Sequence, residues 1–366
     1  MVSRELPGGR KFPTGQVPRE MPEVVMPELS AQPIYTEKTR IIRIIDTALE
    51  QLRPCIEKAL SAYGPEKIGV CLGSCDNGSE ASILAHQELF SEGAFPKNYS
   101  LRFQSASYIT EYVSRKFGLS GPAFTVATAC ASGASAIIRG AELIQAGLCH
   151  AVIAGGADIV SETVLAGFHS LEALSDSLSN PFSKNRNGIN LGEGAAFFLL
   201  DTAQNSGVTL LGAGESSDAY HMTAPGTDGT GPARAMKAAL LDAGLNPEQI
   251  EYVNLHGTGT LLNDKTEALA MKMVFDGSIP PSSSTKPITG HTLGAAGALE
   301  AAICWMILTE KKGLPVHCWD SVSDEEIPFT PGESVHKTPS VCMSNSFAFG
   351  GCNTSLILGG KIWEKI

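Results

Sequence analysis

The chain is predicted to be an α/β protein, with mostly parallel sheets covered on both faces and arranged in two related halves. Three observations carry that prediction. Apolar runs of strand length alternate with stretches of helical periodicity along most of the chain, which is the grammar of sheets joined by crossover helices. Several runs, such as Ile68-Gly-Val-Cys-Leu72 and Ala151-Val-Ile-Ala-Gly-Gly-Ala157, lack polar alternation, as strands buried on both faces do. Each half also holds a helix of small residues entered directly from a reactive residue, Cys130 in one and His291 in the other. If the halves pack about a pseudo-twofold axis, those helix starts face each other across a cleft, and ligands of open α/β sheets bind outside the carboxyl ends of strands.

The elements follow in order. Residues 1–35 are rich in Pro, Gly and charge and read as an extended, poorly ordered arm, with a short strand at Glu23 to Met26. Residues 36–203 form the first half and 204–366 the second. Lys38 to Tyr63 is an amphipathic helix with Ile41, Ile44, Ile45, Ala48, Leu49 and Leu52 on one face. Lys67 to Ser74 is a buried strand, and Ser79 to Leu89 and Ser105 to Phe117 are helices. Ala123 to Ala129 is a strand that runs through Cys130 into a helix from Ala131 to Ala146, closed by Gly147. His150 to Asp158 is a strand, Asn180 to Gly194 a Gly/Asn/Ser loop, and Ala195 to Asp201 a strand. In the second half, strands are expected at Val208 to Gly214, Ile250 to Leu255, Pro281 to Thr285, Val341 to Ser346 and Ser355 to Gly359. Helices are expected at Gly231 to Ala243, Asp264 to Val274 and His291 to Leu308.

Composition narrows the function. The 366 residues are 43% hydrophobic, ample for two domains or one large duplicated one. A net charge of -11 argues against non-specific nucleic-acid binding. The nine cysteines are odd in number and several lie in apolar patterns, so they read as reduced thiols of a cytosolic protein. No Cys-x-x-Cys pair or zinc-finger spacing occurs, so no metal site is expected. The polar N-terminus lacks a signal-peptide core, and no run of about 18 uncharged apolar residues indicates a membrane span.

The residues that carry chemistry cluster at strand-to-helix junctions. Cys130, in Thr128-Ala-Cys130-Ala-Ser-Gly133, sits beside free backbone N–H groups at a helix start. That position lowers a thiol pKa and offers donors to a developing oxyanion, although a lone cysteine in an apolar setting is most often structural. His256 follows the strand Tyr252-Val-Asn-Leu255 and opens His-Gly-Thr-Gly-Thr260; alone, it would more often be a loop histidine. His291 follows Gly290, and Lys286 precedes it by five residues. A buried lysine there needs a carboxylate partner, with Glu267 the first candidate and Asp264 the second; otherwise Lys286 is a solvated loop cation. A thiolate can take an acyl group from a thioester, and two imidazoles can donate hydrogen bonds to a second thioester carbonyl as carbon dioxide leaves.

With these residues placed, the chain resembles the β-ketoacyl-acyl carrier protein synthases of elongating type, in the thiolase superfamily. The resemblance runs from about Lys38 to Gly359. It includes the Cys130 segment, Ala154-Gly-Gly-Ala-Asp158, Pro181-Phe-Ser-Lys-Asn-Arg-Asn-Gly188 and Gly192-Glu-Gly194. Ser217-Asp-Ala-Tyr-His221, the His256 segment, Thr285-Lys-Pro-Ile-Thr-Gly-His291 and Asn345-Ser-Phe-Ala-Phe-Gly-Gly351 complete it. The resemblance implies a layered α-β-α-β-α thiolase-like fold. It implies Cys130 as acylated nucleophile, and His256 and His291 as the groups that bind the malonyl thioester and promote decarboxylation. Lys286, paired with Glu267, would fix the electrostatics of the His291 loop. The N–H groups of Cys130 and Phe349 would form the oxyanion hole, with Phe349 also the gate, and Thr258 and Thr260 would bind the phosphopantetheine arm.

The implied reaction is decarboxylative condensation with malonyl-acyl carrier protein in fatty acid synthesis. Its partners would be acyl carrier protein and a second copy of the chain, with no cofactor beyond the carrier's arm, no nucleic acid and no membrane. A polyketide or polyene ketosynthase, or a non-catalytic chain-length subunit, are the alternatives. Lys38, Arg40 and Arg43 could be part of a docking patch for the acidic carrier, or a solvated helix start. Three departures stand out. The family's first strand, expected at the centre of the first sheet, has no counterpart in residues 1–35. Ala348 replaces a usual glycine before Phe349, which would stiffen the loop or forbid positive φ. Ser183 and Asn187 replace two usual acids, which puts that loop's ion pairs in question.

Overall fold

The computed structural model describes residues 1–6, 9–18, 20–21, 39–97, 99–203, 207–276, 278–310, 313–327, 331 and 338–360. The first-half strands are β3 (Ile68–Gly73), β4 (Ala123–Val126), β5 (Ala151–Asp158) and β6 (Gly194–Asp201), following a hairpin of β1 (Val2–Glu5) and β2 (Lys11–Thr14). The second half contains β7 (Val208–Ser217), β8 (Tyr252–Asn254), β9 (Ser282–Ser283), β10 (Val341–Phe347) and β11 (Cys352–Gly360). The helices are α1 (Arg40–Tyr63), α2 (Ser79–Glu92), α3 (Tyr108–Phe117), α4 (Ser132–Gln145), α5 (Glu162–Ser170), α6 (Thr230–Ala243), α7 (Leu261–Phe275), α8 (Lys286–Thr289) and α9 (Ala296–Glu310).

The apolar strands form two sheets, ordered β4-β3-β5-β6 and β9-β8-β10-β11-β7. In the first, β4, β3 and β5 run parallel and β6 antiparallel. In the second, β9, β8 and β10 run parallel, while β11 is antiparallel to both β10 and β7. The sheets are thus more mixed than expected, because each half ends in a strand that reverses direction. The series β3, β4, α4, β5, β6 recurs as β8, β9, α9, β10, β11 with the same spatial order. Every residue of β3, β5 and β10 is buried, which explains the apolar runs Ile68 to Leu72, Ala151 to Ala157 and Val341 to Met343.

The two small-residue helices, α4 and α9, pack together between the sheets. A Cβ on Gly133 would lie 2.9 Å from the Ala298 nitrogen, and one on Gly297 would lie 2.7 Å from the Ala134 Cβ. Glycine at these equivalent positions therefore permits the close approach. The layer outside the first sheet is held by α1, whose Ile41, Ile42, Ile44, Ile45, Leu49 and Ile56 are buried. Each contributes about 1.5–3 kcal/mol of burial. Leu293–Glu310, the segment apolar and long enough to span a bilayer, is this core region around α9.

Two expectations about the N-terminus are corrected. The first residues are not an unstructured arm: β1 and β2 pair in antiparallel register, and Leu6 and Phe12 are buried with Val160, Leu165, Leu191 and Leu293. Two buried apolar residues, Leu6 and Phe12, in a short Pro/Gly-rich stretch gave too weak a signal. The strand expected at Glu23 to Met26 lies outside the described residues. The family's first strand, which has no counterpart among the described residues, is also not expected to be central. Its second-half counterpart, β7, is an edge strand against β11, so the matching slot is the outer edge of β6. The central strands β3 and β5 keep both neighbours. Helices α5 and α8 are additions that the sequence reading did not contain.

Candidate active site

Strand β4 delivers Cys130 through a strained turn. Ala129 has φ 48°, a left-handed conformation that costs a residue with a Cβ roughly 1–2 kcal/mol. A 3-10 turn, Ala129–Ala131, then feeds α4. Ser132 fixes the turn: its Oγ accepts the Thr128 N–H at 2.9 Å and donates to the Ala129 carbonyl at 2.6 Å. The Cys130 thiol is buried, and its Sγ lies 3.1 Å from Nε2 of His291. Burial pushes the thiol up to about 12, while the Lys286 charge and a hydrogen bond from the Phe349 backbone N–H pull the other way.

The two histidines come from the loops after the adjacent strands β8 and β9. Their rings stand 5.3 Å apart at 86°. Burial holds both well below the usual histidine value, and the nearby Lys286 cation adds to this. Both imidazoles are therefore neutral at pH 7, each with one N–H to donate. The backbone of His291 is anchored by its N–H on the Asn190 carbonyl at 2.7 Å. Its Nδ1 is buried with no hydrogen-bond partner among the described residues.

Lys286 is fully buried, but its partner is Glu300 of α9, not Glu267 or Asp264. The Nζ donates to Glu300 and to the His256 carbonyl, and lies 3.4 Å from His256 Nδ1. Glu267 is otherwise engaged: its two oxygens accept the N–H groups of His256 and Gly257 at 2.8 and 2.7 Å. Asp264, one turn earlier on α7, accepts from Thr258, Gly259 and Phe182. The two carboxylates thus shape the His256 loop, and burial raises both, Glu267 to about 8. The missed residue, Glu300, had a signal in the sequence. It is a lone charge inside the apolar run Ala296 to Leu308, and a buried carboxylate there requires a cation.

These groups open into a cavity of about 300 Å³ lined by Cys130, His256, His291, Thr258, Thr260 and Phe349, among others. The Thr258 and Thr260 hydroxyls are 3.0 Å apart. The Phe349 ring stacks on Phe168, with centroids 5.8 Å apart. Ala348 causes no strain, because its φ is -112° and the positive φ angles fall on Gly350 and Gly351. The loop with Ser183 and Asn187 keeps its ties by other means. Ser183 and Asn185 both donate to Asp320, Asn187 accepts from Ser175, and Arg186 pairs with Asp324.

The basic docking patch is not supported by the geometry. Arg40 is spent on a buried pair with Glu193, and Arg43 donates to the Met21 carbonyl. Lys38 lies outside the described residues.

The model of the Beta-ketoacyl synthase N-terminal domain matches residues 36–206, and that of the Beta-ketoacyl synthase C-terminal domain matches 208–317. The chain is 33% identical over 343 residues to the 3-oxoacyl-[acyl-carrier-protein] synthase 2 of Staphylococcus aureus (strain COL), covering 88% of this chain and 82% of that one. It is 37% identical over 300 residues to nodulation protein E of Rhizobium meliloti, covering 79% and 73%. Among solved structures, a ketosynthase in complex with its chain length factor from Xenorhabdus doucetiae superposes with a TM-score of 0.90 at 40% identity, covering 98% of this chain and 90% of that one. Two domain models in tandem and these near-full-length likenesses agree with the duplicated, layered fold: the chain belongs to the β-ketoacyl synthase family, the elongating acyltransferases of the thiolase superfamily.

Proposed function

We propose that the chain condenses an acyl group held on Cys130 with a malonyl group delivered on acyl carrier protein. The observation that carries this reading is Cys130 Sγ 3.1 Å from one neutral imidazole, with a second 5.3 Å beyond it in the same cavity. In the first half-reaction Sγ, hydrogen-bonded by the His291 Nε2–H, attacks the acyl thioester carbon, and the thiol proton goes to the departing carrier thiolate. The Cys130 and Phe349 N–H groups hold the tetrahedral oxyanion. In the second, the malonyl carboxylate leaves as carbon dioxide, and its bonding electrons form an enolate whose oxygen accepts hydrogen bonds from His256 and His291. The enolate carbon attacks the acyl-Cys130 carbonyl, and the sulfur leaves, releasing the 3-oxoacyl carrier. Burial, with the Lys286 cation adding to it, keeps both imidazoles uncharged, and Glu300 holds Lys286 in place. Thr258 and Thr260 bind the phosphopantetheine arm, and Phe349 gates it.

The printed name of the Staphylococcus relative, a 3-oxoacyl-[acyl-carrier-protein] synthase, supports acyl carrier protein as the carrier; fatty acid synthesis in the cytoplasm, with no cofactor beyond the carrier's arm, is the setting proposed here. A second reading, a ketosynthase for a dedicated polyketide or polyene chain, is favoured by the 40% identity to the Xenorhabdus complex. Under either reading the enzyme pairs with a second synthase-like subunit. The edge strand β4, with Phe124 partly exposed, and the exposed Phe90 and Leu101 support such a surface. The test is intact-protein mass after mixing with acyl-acyl carrier proteins of several lengths, with Cys130→Ala as control, followed by addition of malonyl-acyl carrier protein. An acyl adduct absent from the variant, then a 3-oxoacyl product, is the expected result. Acylation without condensation until a distinct chain-length subunit is added would favour the second reading. No adduct at any chain length would sink both.

A further inference from the structure

The N-terminal hairpin continues into a segment that reaches the active site by way of backbone. Three short stretches lie side by side: Gly15, Leu191–Gly192 and His291. The Gly15 N–H donates to the Leu191 carbonyl at 2.8 Å, and the Glu193 N–H donates back to the Gly15 carbonyl at 3.1 Å. The middle stretch grips the outer one in the same way, through Gly192 N–H to the His291 carbonyl at 2.8 Å and His291 N–H to the Asn190 carbonyl at 2.7 Å. His291 is thus held by a ladder whose outermost rung is Gly15.

The ladder is packed and locked. A Cβ on Gly15 would lie 1.9 Å from the Thr289 carbonyl oxygen and 2.7 Å from its carbon, in the turn that leads through Gly290 to His291. Glu193, with a side chain only 1% exposed, accepts the Val17 N–H at 3.1 Å and pairs with Arg40, whose Nε lies 2.9 and 3.0 Å from its two oxygens. Arg40 in turn donates to the Val17 carbonyl at 2.6 Å. A buried, charge-assisted lock of this kind holds a defined geometry rather than adding much net stability. None of Gly15, Val17, Arg40 or Glu193 lines the cavity.

We infer that the segment Gly15–Val17, locked by Glu193 and Arg40, is a positioning element that sets the His291 imidazole against the Cys130 thiol. This rests on the roles proposed above for those two residues. The segment acts through backbone and away from the substrate, so loosening it should lower kcat and leave KM nearly unchanged.

The test uses the full chain with Gly15→Ala, which pushes on the Thr289 carbonyl, and Glu193→Gln, which removes the charge of the lock and adds no bulk. Lys11→Ala, on the exposed face of the hairpin, is the control. Condensation kinetics are measured with malonyl-acyl carrier protein, alongside iodoacetamide alkylation of Cys130 followed by peptide mass, with exposed Cys55 as internal reference. The expected result is a kcat loss of at least about tenfold for Gly15→Ala and about threefold for Glu193→Gln, with KM within about twofold of wild type. Cys130 alkylation should slow in parallel, while Cys55 alkylation and the Lys11→Ala enzyme are unchanged. Wild-type kcat and Cys130 reactivity in both variants, or a rise in KM alone, would overturn the inference. If Gly15→Ala does not fold, Glu193→Gln decides. A wild-type chain that never turns over would refute the proposed reaction instead, and the alkylation rates would still report on the positioning.

Discussion

His317 should make this enzyme measurably acid-sensitive. Its Nδ1 accepts the Ser284 N–H at 3.1 Å, and its Nε2 lies 3.0 Å from the Pro181 carbonyl. The ring is therefore neutral, with its hydrogen on Nε2. A proton added at Nδ1 would face the Ser284 N–H and break that bond, two residues before Lys286. Burial pushes His317 down to about 4, the Pro181 bond partly opposing. A histidine depressed in the folded state contributes stability that is whole above its unfolded value of 6.5 and is lost as pH falls toward 4. At about 1.36 kcal/mol per pH unit, moving to pH 5 removes roughly 2 kcal/mol, and the full loss below pH 4 is about 3.4 kcal/mol. In His317→Gln the amide oxygen can accept from Ser284 and the amide nitrogen can donate to Pro181, with no titration. Urea unfolding of both proteins at about pH 7.5 and 5 gives a double difference in which any fixed cost of the substitution cancels. The other shifted groups, His256, His291, Asp158 and Glu267, titrate in both proteins and cancel as well. Wild type should lose about 2 kcal/mol more than the variant. Equal losses would refute the reasoning.

Glu300→Gln leaves the buried Lys286 charge without its carboxylate and should cost about 3–5 kcal/mol, read by urea unfolding, together with most of the condensation rate. Gly133→Ala places a Cβ 2.9 Å from the Ala298 nitrogen and should lower stability by about 1–3 kcal/mol, read by the same unfolding curves. The resting Cys130 thiol, pushed up to about 12, should show alkylation that still climbs with pH above about 9, where an ordinary thiol with a pKa near 8.5 levels off. A plateau in its pH profile near neutrality would show a preformed thiolate instead.

What the sequence made legible follows from where its information is local. Continuous apolar runs marked β3 and β5 because strands covered on both faces leave few polar positions. Cys130, His256, His291 and Lys286 were legible because each lies at a junction that their glycine and alanine neighbours make conspicuous. The structure brings all four together. The partner of Lys286 was not legible by proximity in sequence. Glu267 and Asp264 look available on α7, but backbone N–H groups that no side-chain pattern reveals occupy them. Arg40 misled for the converse reason: a helix-start cation looks solvated until Glu193, 153 residues away, is folded against it. The hairpin was hidden because β1 buries none of its four residues and β2 buries only Phe12 and Thr14.

The internal repeat explains why one half supplies the thiol and the other the imidazole nearest it. Thr128-Ala-Cys130-Ala-Ser132 and Thr292-Leu-Gly294-Ala-Ala296 are the same turn made twice. Ala129 and Leu293 have φ of 48° and 54°, and each begins a 3-10 turn that enters α4 or α9. Cys130 is thus the counterpart of Gly294, but the two positions face different surroundings. The Cys130 side opens on the cavity. A Cβ on Gly294 would meet the Cys75 nitrogen at 2.6 Å and an Asp158 oxygen at 2.8 Å, where the Gly294 N–H also donates. No side chain fits there, so the second turn cannot carry a nucleophile. Its chemistry falls three residues earlier, on His291, whose ring crosses the interface between halves to reach Cys130. The duplicated turn gives both helices the same strained start, and the unequal packing of its third residue divides the labour between them.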